Sequence, residues 1–239
     1  MTQTNTNCKI IVITSGKGGV GKTTTTANIG AGLAMKGYKV ALIDTDTGLR
    51  NLDLLLGLEN RIMYDLVDVT SGKIPYKKAL VRHKKYETLF LLPTSQTKDK
   101  LAVSPEQVVA LCSEMSADFD FILIDCPAGI EQGFKTAVAA ADIALVVTMP
   151  EISAVRDADK IIGELNRADK ENILLIVNRI RPDMVAKGEM LDLDDINDIL
   201  AIKCIGQIPD DEMVVSSTNR GEPVIANTKS QAGIAYQNI

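Results

Sequence analysis

The chain has 239 residues, of which 46% are hydrophobic and 24% are charged, and its formal net charge is −5. This size allows one α/β domain with a sizeable buried core, and the acidic balance argues against non-specific nucleic-acid binding as the main activity. The four cysteines (Cys8, Cys112, Cys126 and Cys204) form no C-x-x-C pair, and His83 is the only histidine. The sequence therefore indicates no zinc site, disulfide framework or Ser-His-Asp triad.

The first residues, Met1 to Asn7, are polar and uncharged, unlike the cationic start of a signal peptide. No uncharged apolar stretch has the length of a membrane span. We therefore expect a soluble, intracellular chain with reduced cysteines.

The first predicted element is a strand at Lys9 to Thr14, a short β-branched run. The stretch Gly16 to Thr23, GKGGVGKT, follows it and matches the phosphate-binding pattern G-x-x-x-x-G-K-[ST]. A helix is predicted next, from Thr24 to Lys36. In this order the loop turns backbone N–H groups toward a phosphate, and the helix N-terminus adds partial positive charge. The sequence therefore predicts a nucleotide site.

Two side chains of the loop have predicted tasks. Lys22 should reach the β- and γ-phosphates, and the Thr23 hydroxyl suits a magnesium ion that bridges them. The predicted nucleotide-binding residues of this stretch are Gly16, Lys17, Gly18, Gly19, Val20, Gly21, Lys22, Thr23 and Thr24.

Within the predicted helix, Gly30 and Gly32 indicate close packing against the sheet, and Gly37 occupies the place of a left-handed C-cap. A second buried strand, Val40 to Ile43, is followed by Asp44 and Asp46. Acids at a strand exit can be turn formers. However, Asp44 and Asp46 are predicted to lie beside the nucleotide site, at the sheet edge where ligands bind. We therefore favour roles for them in the water shell of a magnesium ion and in positioning a water molecule.

The middle of the chain has weaker patterns. A loose helical pattern from Tyr64 to Leu80 is broken by Gly72 and Pro75, and Leu89 to Leu92 predicts a third strand. A helix then begins with an N-cap, a first-turn proline and a capping-box partner, which are Ser104, Pro105 and Gln107. The nearest approach to a basic patch, expected to be solvated surface, comprises Lys77, Lys78, Arg82, Lys84 and Lys85.

A fourth buried strand, Phe121 to Ile124, ends in Asp125, which is the Walker B arrangement for holding magnesium through water. Gly129 is the last residue of the run from Asp125 to Gly129. A glycine at this position can turn its backbone N–H toward a γ-phosphate and release the phosphate after hydrolysis. Three further strands are predicted at Ile143 to Thr148, Ile173 to Val177 and Cys204 to Pro209, with a helix from about Ser153. Alternating strands and helices predict a doubly wound, mostly parallel sheet flanked by helices, in one domain over residues 1–239.

The loop GKGGVGKT, with its extra lysine Lys17, resembles the MinD/ParA family of deviant Walker A P-loop ATPases. The segments GLRNLD (48–53) and DCPAGIE (125–131) narrow the resemblance to the MinD branch, and it extends from Lys9 to about Tyr236. Cys126 stands where serine is common in the family. The resemblance implies that Lys17 reaches phosphates held by a partner subunit.

The resemblance also implies the other site roles. Asp44 and Asp125 would hold the water shell of the metal, and Asp46 would position the attacking water, which makes Asp46, Lys17 and Lys22 the catalytic set. The base pocket would be formed by Asn178, Arg179, Pro209, Asp210 and Glu212, the last three within the backbone stretch 209–212 that lines the pocket in the family. Arg50 and the stretch 150–160 would lie near the surfaces used by partners, although a plain solvated face is the alternative for the second.

The implied function is a magnesium-dependent ATPase that forms a homodimer with ATP. It would position the division septum by recruiting a MinC-like inhibitor to the membrane, and a MinE-like activator would release it by stimulating hydrolysis. The expected location is cytoplasmic, peripheral on the inner face of the membrane, or the plastid stroma. A ParA-like DNA-partitioning ATPase is the alternative, and an iron–sulfur carrier of the same superfamily is disfavoured by the dispersed cysteines.

Family members end in a basic amphipathic helix that lies in the membrane interface. This chain finishes at residues 235–239 without that pattern. We expect it to dimerise with ATP yet to stay in the supernatant when anionic vesicles are sedimented, because a dimer without either tail has no lipid anchor and the net charge of −5 gives no general attraction to anionic lipid.

Overall fold

The computed structural model describes residues 8–46, 50–95 and 103–239. In these ranges eight strands form one sheet in the order β3-β4-β2-β5-β1-β6-β7-β8. All neighbouring strands are parallel except β3, which pairs antiparallel with β4. The strands are β1 (Lys9–Thr14), β2 (Val40–Asp44), β3 (Val81–Arg82), β4 (Leu89–Leu92), β5 (Phe121–Asp125), β6 (Ile143–Thr148), β7 (Ile173–Ile180) and β8 (Lys203–Pro209).

Helices cover both faces of the sheet. The α-helices are α1 (Lys22–Met35), α2 (Leu52–Leu55), α3 (Leu66–Thr70), α4 (Tyr76–Ala79), α5 (Pro105–Met115), α6 (Gln132–Val138), α7 (Ile152–Arg167), α8 (Pro182–Ala186), α9 (Leu193–Leu200), α10 (Glu212–Thr218) and α11 (Gln231–Gln237), with 3-10 turns at Glu59–Arg61 and Val224–Ala226. One core packs α5, α6, α7 and α9 against the sheet, and a second core packs α1, α2 and α11 against the other face. The predicted doubly wound architecture is confirmed.

The strand register determines where the site lies. β1 is central, between β5 and β6, and β5 is also paired with β2. Asp44, the last residue of β2, is directly opposite Asp125, the last residue of β5. Parallel strands bring their carboxyl ends to one edge, so two acids that are distant in sequence become neighbours there.

Most predicted elements are confirmed. The Tyr64 to Leu80 pattern forms two short helices, α3 and α4, separated at the predicted breaks. The capping box of α5 is present, with Ser104 N–H donating to Gln107 Oε1 at 2.8 Å and Gln107 N–H donating to Ser104 Oγ at 3.3 Å. Helix α1 begins at Lys22, two residues before the predicted start. The sequence did not predict β3, which lies within the basic stretch from Lys77 to Lys85 that we expected to be solvated surface.

The two glycines in α1 have different neighbours. A Cβ on Gly30 would lie 2.6 Å from Leu42 of β2, so the predicted contact with the sheet is confirmed there. A Cβ on Gly32 would lie 2.5 Å from Ile225 instead. The prediction for Gly32 is therefore wrong, because this glycine faces the 3-10 turn that covers α1.

Within the described ranges, no helix combines the length and the apolar character needed to cross a membrane.

Candidate nucleotide site

The glycine loop runs from the end of β1 to the first residue of α1. A Cβ on Gly16 would lie 2.2 Å from the carbonyl oxygen of Asp157, so the absence of a side chain lets the loop rest on α7. Gly21 has φ of 102°, in the left-handed region that favours glycine. A Cβ there would lie 2.3 Å from Asn178 Nδ2. The loop is thus fixed between α7 and the end of β7, and Gly18, Gly19 and Val20 form its middle.

Lys22 and Thr23 begin α1 directly beside Asp125. Lys22 is almost fully buried, and Thr23 is half-buried. Thr26 Oγ1 donates to Asp125 Oδ1 at 3.2 Å. The Thr23 hydroxyl and the Lys22 ammonium lie close enough to lower the pKa of Asp125. The structure therefore brings the predicted phosphate-binding lysine and the predicted metal-binding threonine and aspartate together.

Asp44 and Asp125 form a buried pair of carboxyl groups. Burial, the adjacent Asp125 and other nearby acids raise the pKa of Asp44 well above its usual range. Burial also raises the pKa of Asp125 to about 6, against the opposing effects of Thr23, Lys22 and Thr26. Asp44 Oδ1 accepts the N–H of Asp46 at 2.9 Å, whereas the buried Oδ2 has no hydrogen-bond partner. Two adjacent buried acids, one with an unpaired oxygen, form a site that a cation would stabilise.

These residues fit a magnesium ion. Magnesium prefers oxygen ligands, keeps several waters, and is held in NTPases by the P-loop hydroxyl and a Walker B acid. The unpaired oxygen of Asp44 is a suitable acceptor for one such water. Among the described residues, no three His, Cys, Asp or Glu side chains form a cluster able to hold a metal directly. The predicted arrangement does not need one, since Thr23 is its only direct protein ligand.

Asp46 and Lys17 contact different parts of the chain. Asp46 follows the buried Asp44 and is itself only partly buried. The Lys17 ammonium lies 3.4 Å from Ser153 Oγ and 3.6 Å from Glu151 Oε2, at the start of α7. In the single chain, Lys17 is therefore held by the chain's own helix α7, and its contact with a second subunit stays a prediction.

The loop after β5 is attached to the phosphate loop. Gly129 has φ of 94°, and its N–H donates to the carbonyl oxygen of Ser15 at 3.2 Å. The Ser15 hydroxyl donates to the carbonyl oxygen of Lys17 at 2.8 Å. Gly129 is therefore adjacent to the phosphate loop, as the predicted switch role requires, with its N–H bonded to the protein.

A cavity of about 270 Å³ adjoins the loop and is lined by Gly21, Thr24, Asn178, Arg179, Pro209, Asp210, Asp211, Val214, Val215 and Tyr236. Four of the five residues predicted for the base pocket are among them. Glu212 begins α10, is exposed and does not line this cavity. Asn178 Nδ2 donates to the carbonyl oxygen of Val20 at 2.7 Å. This bond fixes the side-chain amide and leaves Asn178 Oδ1 as the atom that can accept a hydrogen bond from a base.

Asp211 lies within the predicted stretch 209–212, and the sequence reasoning missed three lining residues, which are Val214, Val215 and Tyr236. These three carry no motif and come from α10 and α11. Arg179 was expected, but its left-handed backbone, with φ of 58°, was not. Such a conformation is uncommon for a non-glycine residue and often marks a functional position.

Arg50, which was predicted to lie near a partner surface, forms an ion pair within its own chain. Arg50 Nε is bonded to Asp53 Oδ2 at 2.7 Å, and the Arg50 side chain is only 17% exposed, so its main contact in this chain is internal. Gly48 and Leu49 of the GLRNLD segment lie outside the described residues.

Comparison with known proteins agrees with this geometry. The CobQ/CobB/MinD/ParA nucleotide binding domain family matches residues 11–224. The septum site-determining protein MinD of Bacillus subtilis is 54% identical over 233 residues, which are 96% of this chain and 86% of that protein. The MinC:MinD cell division protein complex of Aquifex aeolicus contains a chain that is 51% identical, with a TM-score of 0.90 and coverage of 96% and 93%. MinD of Pyrococcus horikoshii, complexed with Mg-ADP, is 30% identical, with a TM-score of 0.86 and coverage of 97% and 93%. The fold places the phosphate loop beside Asp44 and Asp125, and the sequence is about half identical to MinD proteins over almost its whole length. The chain therefore belongs to the MinD branch of the MinD/ParA nucleotide-binding family.

Proposed function

We propose that this MinD-family chain is a magnesium-dependent ATPase that binds and hydrolyses ATP and acts in the Min system of division-site placement. The observation that carries the proposal is the buried pair Asp44 and Asp125 beside Lys22 and Thr23. The family membership supports a nucleotide-binding ATPase, and the Mg-ADP complex of the Pyrococcus relative supports magnesium.

In the proposed mechanism, the loop amides and Lys22 bind the β- and γ-phosphates, and Thr23 orients its hydroxyl toward the metal site. Asp44 and Asp125 would hold the water shell of a bound magnesium ion. The magnesium ion, when bound, supplies positive charge that offsets the negative charge of the phosphates. Asp46 orients the attacking water, and Gly129 changes its N–H partner from Ser15 to the γ-phosphate. The base occupies the cavity beside Asn178.

The proposed assembly is a homodimer formed with ATP, in which Lys17 leaves Glu151 and contacts the phosphates of the second subunit. A MinC-like division inhibitor is the proposed partner, supported by the MinC:MinD complex of the Aquifex relative. A MinE-like activator and attachment to anionic membrane through a basic amphipathic tail complete the proposed cycle. The high identity to MinD proteins favours this cycle over DNA partitioning.

The test is a titration of the purified chain with ADP and ATP, with and without magnesium, together with light scattering. We expect magnesium to tighten nucleotide binding in the wild-type chain and much less in Asp125→Asn. ATP, and not ADP, should double the scattering mass. Nucleotide binding that ignores magnesium, or ATP-dependent retention on DNA, would contradict the proposal.

A further inference from the structure

Asp211 connects two helices at the outer wall of the base cavity. It precedes α10, and its Oδ1 accepts the N–H of Met213 at 2.8 Å, in the first turn of that helix. Its Oδ2 accepts the Ser230 hydroxyl at 2.6 Å and the N–H of Ala232 at 3.2 Å, at the start of α11. One carboxylate therefore caps both helices.

Those two helices supply part of the wall of the cavity that Asn178 also lines. Val214 and Val215 come from α10, and Tyr236 comes from α11. The Tyr236 hydroxyl lies 3.1 Å from Thr25 Oγ1, a buried contact with α1 one turn beyond the phosphate loop. The wall is thus fixed at its outer end by Asp211 and at its inner end by the Tyr236–Thr25 bond.

The charge of Asp211 strengthens this arrangement. Partial burial acts to raise its pKa, but the hydrogen bonds from Ser230 and from the N–H groups of Met213 and Ala232, together with the nearby N–H of Gln231, outweigh that effect and lower it. Hydrogen bonds to an ionised acceptor are shorter and stronger than neutral ones. An asparagine at 211 offers one oxygen and an NH2 group, so it cannot accept from both helices at once.

The size of the cavity suits part of a nucleotide. Its volume is about 270 Å³, just below the roughly 300–1,000 Å³ of sites that enclose a whole small molecule. Gly21 of the phosphate loop and Thr24 of α1 are among the residues that line the cavity. A nucleotide with its phosphates on the loop would therefore place only its base against α10 and α11.

We propose that Asp211 is a positioning residue for the nucleobase, because it joins α10 to α11 and so holds Val214, Val215 and Tyr236 against the base. This inference rests on the proposed nucleotide-binding function and adds a residue that touches neither phosphate nor metal. Its effect should appear only with ligands that carry a base.

The experiment compares ADP with inorganic pyrophosphate, which offers phosphates without a base, by calorimetric titration in magnesium buffer. For Asp211→Asn we expect ADP affinity to fall about tenfold, as the loss of one charged hydrogen bond predicts, and pyrophosphate affinity to stay within about twofold. Ser230→Ala, which removes one donor to Asp211, should shift ADP affinity in the same direction and carries the test if Asp211→Asn does not fold.

The matched control is Asp192→Asn. Asp192 caps α9 by accepting the N–H of Asp195 at 2.8 Å, and it does not line the base cavity, so both affinities should match the wild type. Equal losses of ADP and pyrophosphate affinity in Asp211→Asn, or no loss of either, would overturn the inference while leaving the nucleotide site intact. A wild-type chain that binds neither ligand would overturn the proposed function and the inference together.

Discussion

The ammonium of Lys17 lies 3.6 Å from the carboxylate of Glu151, so the extra lysine of the phosphate loop is paired within its own chain. Both side chains are about half exposed, at 41% and 53%. A solvated pair of this kind is worth only about 0.2–1 kcal/mol. Lys17 can therefore exchange this partner for a more highly charged one at small cost.

Replacing Glu151 should make dimer formation easier. In Glu151→Gln, Lys17 has no ion pair to break before it contacts a second subunit. We expect the ATP concentration at half-maximal dimer to fall about two- to fivefold, the factor that corresponds to such a pair. Light scattering across an ATP titration measures this, with Glu87→Gln as an exposed control. A requirement for more ATP would mean that Glu151 itself acts across the dimer.

Replacing Lys17 should separate binding from assembly. Lys17→Ala keeps Lys22 and the loop amides, so ATP affinity should remain within a few-fold of the wild type while the ATP-dependent dimer is lost. Equilibrium titration and light scattering on the same sample report the two properties. A variant that dimerises fully would show that Lys17 is an ordinary surface residue.

Asp46→Ala should bind ATP and hydrolyse it poorly. The phosphate cradle is intact in this variant, but the attacking water loses its acceptor. Turnover should fall by about a hundredfold or more, the usual contribution of such a group, and the ATP dimer should persist. Phosphate release and light scattering test both points, and normal turnover would remove Asp46 from the mechanism.

Asp44→Asn should stabilise the free chain and weaken magnesium binding. The substitution removes one of two adjacent buried acids, so in metal-free buffer at pH 8 we expect the melting temperature to rise by about 2–4 °C, the shift that roughly 1 kcal/mol gives in a chain of this size. The magnesium-dependent gain in ADP affinity should be lost. A lower melting temperature in metal-free buffer would show that Asp44 makes a stabilising contact instead.

The same pair sets a pH dependence. Burial raises the folded-state pKa of Asp125 to about 6, whereas the pKa of an aspartate in the unfolded chain is roughly 4. Between pH 4 and 6, the folded chain therefore keeps a proton that the unfolded chain has released. Its contribution to stability is therefore present at low pH and lost as the pH rises through about 6. The buried His83, with a lowered pKa, acts in the opposite sense. Comparing metal-free melts of wild type and Asp44→Asn from pH 5 to 8 cancels the histidine, and a flat difference would contradict the assignment.

The phosphate loop and its acids were predictable because each follows a short apolar strand. Parallel strands place whatever follows them at one edge, so Lys22, Asp44 and Asp125 could be grouped without coordinates. The outer wall of the base cavity was not predictable in this way. Tyr236 lies 211 residues from Thr25, and only the packing of α11 on α1 brings their hydroxyl groups together.

Local patterns failed where a few long-range contacts decide the structure. β3 has two residues and exists because it pairs with β4 at the sheet edge, which no alternation within so short a segment can reveal. Gly32 looked equivalent to Gly30, yet the two face different neighbours because they lie two positions apart on a helix.

The phosphate loop packs directly on α7 at Gly16 and Asp157. A Cβ added at Gly16 would lie only 2.2 Å from the Asp157 carbonyl oxygen, so there is no room for even a methyl group between the loop and the helix. A protein that binds the exposed side of α7 would therefore contact the helix on which the phosphate loop directly rests, with no further element between that helix and the loop.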